Sequence, residues 1–294
     1  RDFATLLENV MHKMLQAAYG ITPDTWSRFC AQGTVSDFRA HARYRMGTFG
    51  ALDAVNESGE FKRKAITDAS KETITAGTKG NIINVSRQMI VNDDMGAFAS
   101  LLSKLGRAAK LSVEIDVYAL LAQNGGLGPT MGDGVVLFNA AHNNISAGAA
   151  LSAAAIDSDR VQMAQQKDKD SNDFIDLRPA ILLVPVGLGG SARIINQSQY
   201  DPDTIANKPS MKPNAVVGLF SDVVDTPRLT GTRRYLFADK NVAPTIEVAF
   251  LEGQTEPVLE TKDGWDVDGA EMKVRYDYAV GAVDFRGAVT NAGV

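Results

Sequence analysis

Apolar residues recur at helical spacing near the start of the chain: Phe3, Leu6, Leu7, Val10, Met14 and Leu15. That stripe predicts an amphipathic helix over residues 2–18, stopped by Gly20. Thr22-Pro23-Asp24 then predicts a short helix carrying Trp26 and Phe29, with Thr22 as cap and Pro23 in its first turn. An arm with its own apolar stripe needs a surface to lie on, either its own body or a neighbour's. Over residues 36–91 the pattern thins. Phe61, Ala65, Ile66 and Ile74 are separated by polar runs, and Gly47, Gly50, Gly59, Gly77 and Gly80 interrupt them. Such a segment builds no core. It predicts a protruding β-hairpin turning near Asn56-Glu57-Ser58-Gly59. A long excursion of this kind in a compact domain calls for a task. Two readings stand: a loose surface hairpin, or a limb that reaches over a neighbouring molecule.

The sharpest change of period comes next. Asn81 to Val91 alternates, with Ile83, Val85 and Met89 on one side and Asn84, Ser86 and Gln88 on the other. Asn92-Asp93-Asp94 suits a helix start, because short side-chain oxygens accept from free N–H groups and negative charge favours that end. A helix follows over residues 95–123, about 43 Å long, and stops at Asn124-Gly125-Gly126. A helix of that length is a strut. Farther on, Val135-Val136-Leu137-Phe138 reads as a short buried strand, residues 149–155 as a flexible small-residue stretch, and residues 156–167 as a helix. Residues 181–186 give a buried strand and residues 191–197 a helix. Residues 199–213 form an Asp/Asn/Pro-rich excursion. Further strands fall at residues 216–220, 234–237 and 245–250. An alternating tail, with Met272, Val274 and Tyr276 and then residues 279–285, would close the first sheet. The chain mixes helices and strands, and the class is α+β.

Composition narrows the function. The chain has 294 residues, 45% hydrophobic and 22% charged, which is ordinary globular material. Its formal net charge of −5 excludes a basic nucleic-acid binder as a whole. One cysteine, Cys30, excludes a disulfide framework and reads as a small buried hydrophobe beside Trp26 and Phe29. No apolar run reaches the length of a membrane span, and no secretory signal pattern opens the chain. Charge is unevenly spread. Residues 36–91 carry nine basic and six acidic residues, and residues 239–294 carry five basic and eleven acidic ones. Opposite-sign regions either are separately solvated faces or favour head-to-tail contact between copies. The candidate contact residues are Arg43, Arg45, Lys62, Arg63 and Lys64 on one side and Glu256, Glu260 and Asp263 on the other.

The chemistry-bearing motifs are weak. Gly187-Leu188-Gly189-Gly190-Ser191-Ala192 follows a strand and opens a helix, matching a dinucleotide fingerprint. The acidic strand end expected about 20 residues on is missing, since Asn196 to Pro202 is polar and ends in proline. His12, His41 and His142 have no ligand-spaced partner, so there is no metal signature. Asp133 and His142 could meet, though a polar loop explains them more simply. Asp93-Asp94 and the Asp263, Asp266, Asp268 cluster fit a helix cap and a turn better than ion sites. No catalytic set and no cofactor is expected.

Several stretches together resemble the major head (capsid) subunits of Mu-like phages. They are Ser86 to Phe98, Leu105-Gly106-Arg107-Ala108-Ala109, Val117-Tyr118-Ala119-Leu120-Leu121, Asp133 to His142, and Arg178-Pro179 before Leu182-Leu183-Val184-Pro185. The resemblance runs along nearly the whole chain and is strongest over residues 38–185. It departs at Asn139, where a second His is expected, which weakens a paired-His metal site. The resemblance implies a Hong Kong 97 phage-type shell fold. Its parts would be an N-terminal arm (1–35), an extended loop (36–91), a peripheral domain with spine helix (92–177), an axial domain (178–253), and C-terminal peripheral strands (254–294). It implies a structural protein that is no enzyme, self-assembling through hexamers and pentamers into an icosahedral head. Its partners would be a portal, a maturation protease, decoration proteins and packaged DNA held by weak nonspecific contact. It would be assembled in the bacterial host cytoplasm and located in the virion. The start at Arg1 fits trimming of the expressed chain and cleavage by such a protease equally. The alternatives are a nucleotide-binding oxidoreductase using the Gly187–Ala192 turn, and an encapsulin-like compartment shell.

Overall fold

Two mixed β-sheets share one aromatic core, and the long helix braces the first of them. A computed structural model of the chain describes residues 2–21, 23–45, 70–86, 95–168, 173–201, 212–263 and 269–294. The elements run α1 (Asp2–Ile21), α2 (Trp26–Phe29), β1 (Ala31–Val35), β2 (His41–Arg45), β3 (Ser70–Ile74) and β4 (Gly77–Ser86). Next come α3 (Met95–Gly126), β5 (Ile145–Ser146), α4 (Ala153–Ala164), β6 (Pro179–Pro185) and α5 (Gly189–Gln197). Strands β7 (Asp222–Thr226), β8 (Arg234–Ala238), β9 (Ile246–Leu251), β10 (Val258–Asp263), β11 (Gly269–Ala282) and β12 (Ala288–Asn291) complete the chain.

The first sheet is ordered β1-β9-β11-β10, and β4 lies along β11 as well. Strand β11 alternates. Met272, Val274, Tyr276 and Tyr278 face α1, α3 and the large core, while Ala279, and Val283 just past the strand, face Val35 and Ile74. The second sheet is ordered β5-β12-β8-β6-β7, and its central strands β6 and β8 are buried on both sides, which is why those two read as apolar runs. Ile181, Leu183, Tyr235, Phe237 and Ala288 enter the large core. Leu182, Val184, Leu236, Ala238 and Val289 enter a second core with Ile156 and Met163 of α4 and Ala192 and Ile195 of α5. Trp26 and Phe29 of α2 sit between the sheets: Trp26 against Phe250 of β9, and Phe29 stacked on Phe237 of β8.

A charge pair is sealed inside this frame. Arg234 of β8 and Asp159 of α4 are both 0% exposed, with Nε and Nη2 each 2.8 Å from Oδ2. Asn291 of β12 donates to the other carboxylate oxygen, and Arg234 Nη1 donates to the Ala149 carbonyl. One pair thus fastens α4, β8, β12 and the loop before α4.

Helix α1 lies on its own body, across α3 and β10, through Met11 and Leu15 against Leu102, Leu259 and Met272. The helices cross at Gly106. A Cβ there would stand 2.8 Å from the Leu15 carbonyl oxygen and 2.9 Å from the Tyr19 nitrogen. Gly106→Val is therefore expected to lift α1 and cost about 1–3 kcal/mol. Faster proteolytic cleavage of the α1 segment, with the sheets still folded, is the check.

Several sequence expectations shift. The cap of α2 is Thr25 rather than Thr22 (which lies outside the described residues), and its N–H and hydroxyl both bind Glu114 of α3. Helix α4 starts at Ala153 because the Ser152 hydroxyl accepts from Ala155 N–H, so the small-residue stretch is partly helix. Residues 135–138 form no strand, only a bridge from Thr130 to Val136. Residues 215–218 form a turn with Gly218 at φ +66°, and the strand lies at β7 instead. The long helix does lose helical geometry at Gln123, Asn124 and Gly125, as the Asn-Gly-Gly sequence predicts. The Asn92-Asp93-Asp94 cap and the Asn56–Gly59 turn lie outside the described residues. Strand β9 of block 178–253 joins the first sheet and β12 of block 254–294 joins the second, so neither block maps onto one sheet.

Candidate assembly interface

Residues 36–91 do contain an antiparallel ladder: β2 pairs β3 from His41↔Ile74 to Arg45↔Ser70. Residues 46–69, between the paired ends, lie outside the described residues. The base of this ladder is tied to the body by two arginines. Arg43 Nε and Nη2 grip the Glu247 carboxylate of β9 at 2.6–3.0 Å, and Nη2 also donates to the Thr34 carbonyl. The hydrogen bond to Glu247 raises the Arg43 pKa against the opposing effect of burial. Space for Glu247 exists because position 33 is glycine: a Cβ there would stand 1.9 Å from Glu247 Oε1.

Arg45, with a side chain only 9% exposed, donates to Glu72 at 2.7 Å and stands 3.6 Å from Asp284. Its guanidinium lies 4.9 Å over the Phe285 ring. Phe285 in turn stacks on His142 with centroids 4.0 Å apart and planes 5° apart. His142 Nε2 meets Asp133 at 2.8 Å, and Nδ1 faces the Leu137 carbonyl at 3.0 Å. Asp133 and His142 therefore do meet. Both ring nitrogens are occupied and Phe285 covers a face, so the pair is built to hold a loop and has no position free to activate a nucleophile. Glu72 accepts from the Gly132 N–H at 2.8 Å, and Arg286 links Asp284 and Asp168. Arg45, Glu72, Asp133, His142, Phe285 and Arg286 line a cleft of about 600 Å³.

Burial raises the Asp133 pKa, but the Val135 N–H, His142 and Arg45 outweigh it and hold the carboxyl below its ordinary value. A depressed carboxyl contributes stability above its unfolded pKa, near pH 4, and that contribution is lost as pH falls through the folded value. Asp133→Asn should flatten the acid limb of a melting temperature–pH curve below about pH 4 and leave the neutral limb's shape unchanged.

The predicted contact residues are distributed unevenly. Arg43 and Arg45 are engaged with acidic groups of their own chain, Glu247 and Asp284, both in the acidic region 239–294. Glu260 is paired with Lys273 and Arg275 of β11, and Lys273 holds its pKa down. Glu256 is half-buried just before β10. Asp263 ends β10 opposite Ala270, and Lys62, Arg63 and Lys64 lie outside the described residues. Sequence spacing gave no hint of Glu72, Asp284, Phe285 and Arg286, which join only on folding.

The glycine-rich turn has a β-α-β setting, since β6 and β7 are parallel around α5. A second strand therefore exists, starting about 30 residues after the turn, a feature the sequence reading missed. The turn is nevertheless closed to a pyrophosphate. A Cβ on Gly189 would meet the Asp225 side chain at 2.7 Å, and Arg193 is paired with that carboxylate. Negative charge already sits where phosphate would bind. Asn139, at the expected second His, caps the turn at Ala140–His142 by accepting from Ala141 N–H. Among the described residues no cluster could hold a metal ion, and no helix is long and apolar enough to cross a membrane.

A family profile described as phage capsid protein matches residues 70–291. No curated protein sequence matches the chain. Among solved structures, the capsid of cyanophage P-SCSP1u is similar at 12% identity and TM-score 0.57, over 92% of this chain and 88% of that one. A virus-like particle from Pyrococcus furiosus is similar at 10% identity and TM-score 0.53, over 97% and 99%. The procapsid of bacteriophage JBD30 is similar at 15% identity and TM-score 0.52, over 99% and 75%. At these identities the likenesses show the fold, which is the Hong Kong 97 phage type.

Proposed function

The chain belongs to the phage capsid protein family, and from that premise we propose that it closes into an icosahedral phage head around packaged DNA, through hexamers and pentamers. Its role is structural: copies of one chain assemble into a virion shell. The observation that carries the reading is the family match across residues 70–291, which takes in β3, the spine helix and every strand of both sheets except β1. The geometry supports it. A ladder fastened to the body by the Arg43–Glu247 and Arg45–Asp284 ion pairs is a limb whose angle to the body is set, and a set angle is what heterologous contacts need to close into rings.

The finer assignments follow the same reading. Residues 1–35 act as the arm, 36–91 as the limb, and the body divides into peripheral and axial parts. Lys62, Arg63 and Lys64 meet Glu256, Glu260 and Asp263 of a neighbouring copy. Arg43 and Arg45 set the limb's direction and border that contact. A portal, a maturation protease and decoration proteins complete the head, which forms in the bacterial host cytoplasm, and descent from a Mu-like phage fits the sequence resemblance. DNA contact is weak and nonspecific, in keeping with a net charge of −5. The likeness to a virus-like particle from Pyrococcus furiosus shows that the fold also builds shells described otherwise than as phage heads, and the second reading is a compartment shell. Electron microscopy of purified protein tests both. Closed particles that package DNA in the host support the head, closed particles without nucleic acid support the compartment, and a monomer at high concentration refutes both.

A further inference from the structure

Strand β4 is paired with β11 along one edge, from Gly77↔Tyr278 to Ser86↔Gly269. Its other edge has no strand partner among the described residues. Edges left open to water are normally short, kinked, charged or broken by proline, because a row of free N–H and C=O groups recruits another chain. Strand β4 is protected only by one lysine. It runs for ten residues without proline. Its single charge, Lys79, is tied to Asp116 of α3 at 2.7 Å. Ile82 stands 64% exposed. The strand also starts at Gly77, right after β3 ends at Ile74, so the open edge continues from the base of the limb.

We propose that the open edge of β4 receives an extended segment of a second copy of this chain, which adds a strand to the first sheet across a subunit boundary. The inference rests on the shell reading above. Three features select a sister copy as the occupant. The edge is continuous with the limb that the shell reading already places at a subunit boundary. Its one charge is neutralised within the chain, so like copies meet without repulsion. And a ladder of main-chain hydrogen bonds depends little on side-chain pockets, so one edge can serve subunits set at slightly different angles, as pentamers and hexamers require.

The test uses full-length protein before and after assembly. Amide exchange across Gly77–Ser86 should show alternate residues fast in the free subunit, and those same residues slowed at least about tenfold in particles. Asn81→Pro and Ile82→Pro complement it, because neighbouring residues direct their N–H groups to opposite edges. The variant that loses only the outward donor should melt as the unaltered subunit does, yet yield at least about tenfold fewer particles. Particles whose outward β4 amides stay fast would overturn the proposal. So would normal assembly of both proline variants, or crosslinks from β4 only to a different protein. Unaltered protein that never forms particles would instead overturn the shell reading, and this inference with it.

Discussion

Asp159→Ala lowers the stability of the subunit by about 3–5 kcal/mol, the largest single-residue effect expected here. The carboxylate and the Arg234 guanidinium are both fully buried, so removing one leaves a charge with no water and only the Ala149 carbonyl beside it. Asn291 loses its acceptor at the same time. The cost comes from the stranded charge more than from the lost attraction. The double variant Asp159→Leu with Arg234→Met should therefore recover most of the loss, because the apolar pair suits the surrounding Ile156, Leu236 and Val289. Urea unfolding with an unchanged m-value would measure both. A loss under about 1 kcal/mol in the single variant would show that the pair is hydrated and the picture of a sealed joint is wrong.

Glu72→Ala has a different signature. It removes the acceptor of Arg45 and of the Gly132 N–H together, at a cost of about 2–3 kcal/mol. Asp284 cannot compensate, because it is 3.6 Å from Arg45 and already bound to Arg286 at 2.8 Å. The damage is confined to the base of the β2–β3 ladder. Limited proteolysis should show earlier cutting within residues 46–69, and particle yield should fall by more than the change in melting temperature explains. Glu72→Gln keeps an acceptor for Gly132 but loses the charge, and should lie between the two. Unchanged particle yield in Glu72→Ala would show that the angle of the limb is not what assembly reads.

Legibility in the sequence followed locality. The spine helix and its stop were readable because a long 3.6-residue period ends in Asn124 and Gly125, residues that tolerate the left-handed geometry found there. Strands β6 and β8 were readable as apolar runs, since both faces of their sheet are buried. Strand β7 was missed because Asp222 and Asp225 break its apolar pattern, and their charges are met by Arg28 and Arg193 from other elements. The apolar run at Val216 and Phe220 pointed to a strand, but Val216 reaches the core from a turn and Phe220 from the irregular segment after it. Strand β1 was missed because Gly33 and Thr34 give it no hydrophobic signature, and its glycine is required by Glu247, more than two hundred residues away. The Arg45–Phe285–His142 stack and the Asp159–Arg234 pair were invisible for the same reason: nothing in the spacing along a chain announces which distant charges will meet.

The wedge of Trp26 and Phe29 between the two sheets has a mechanical consequence. A filled container presses outward on its wall, and a wall unit yields first at its softest seam. Here the joint between the sheets is filled with interlocked rings, Phe29 on Phe237 and Trp26 on Phe250, so bending it means prying apart a close-packed interior. Load is thereby passed to the rim of each tile, where copies grip one another, and the joint inside the tile holds its angle.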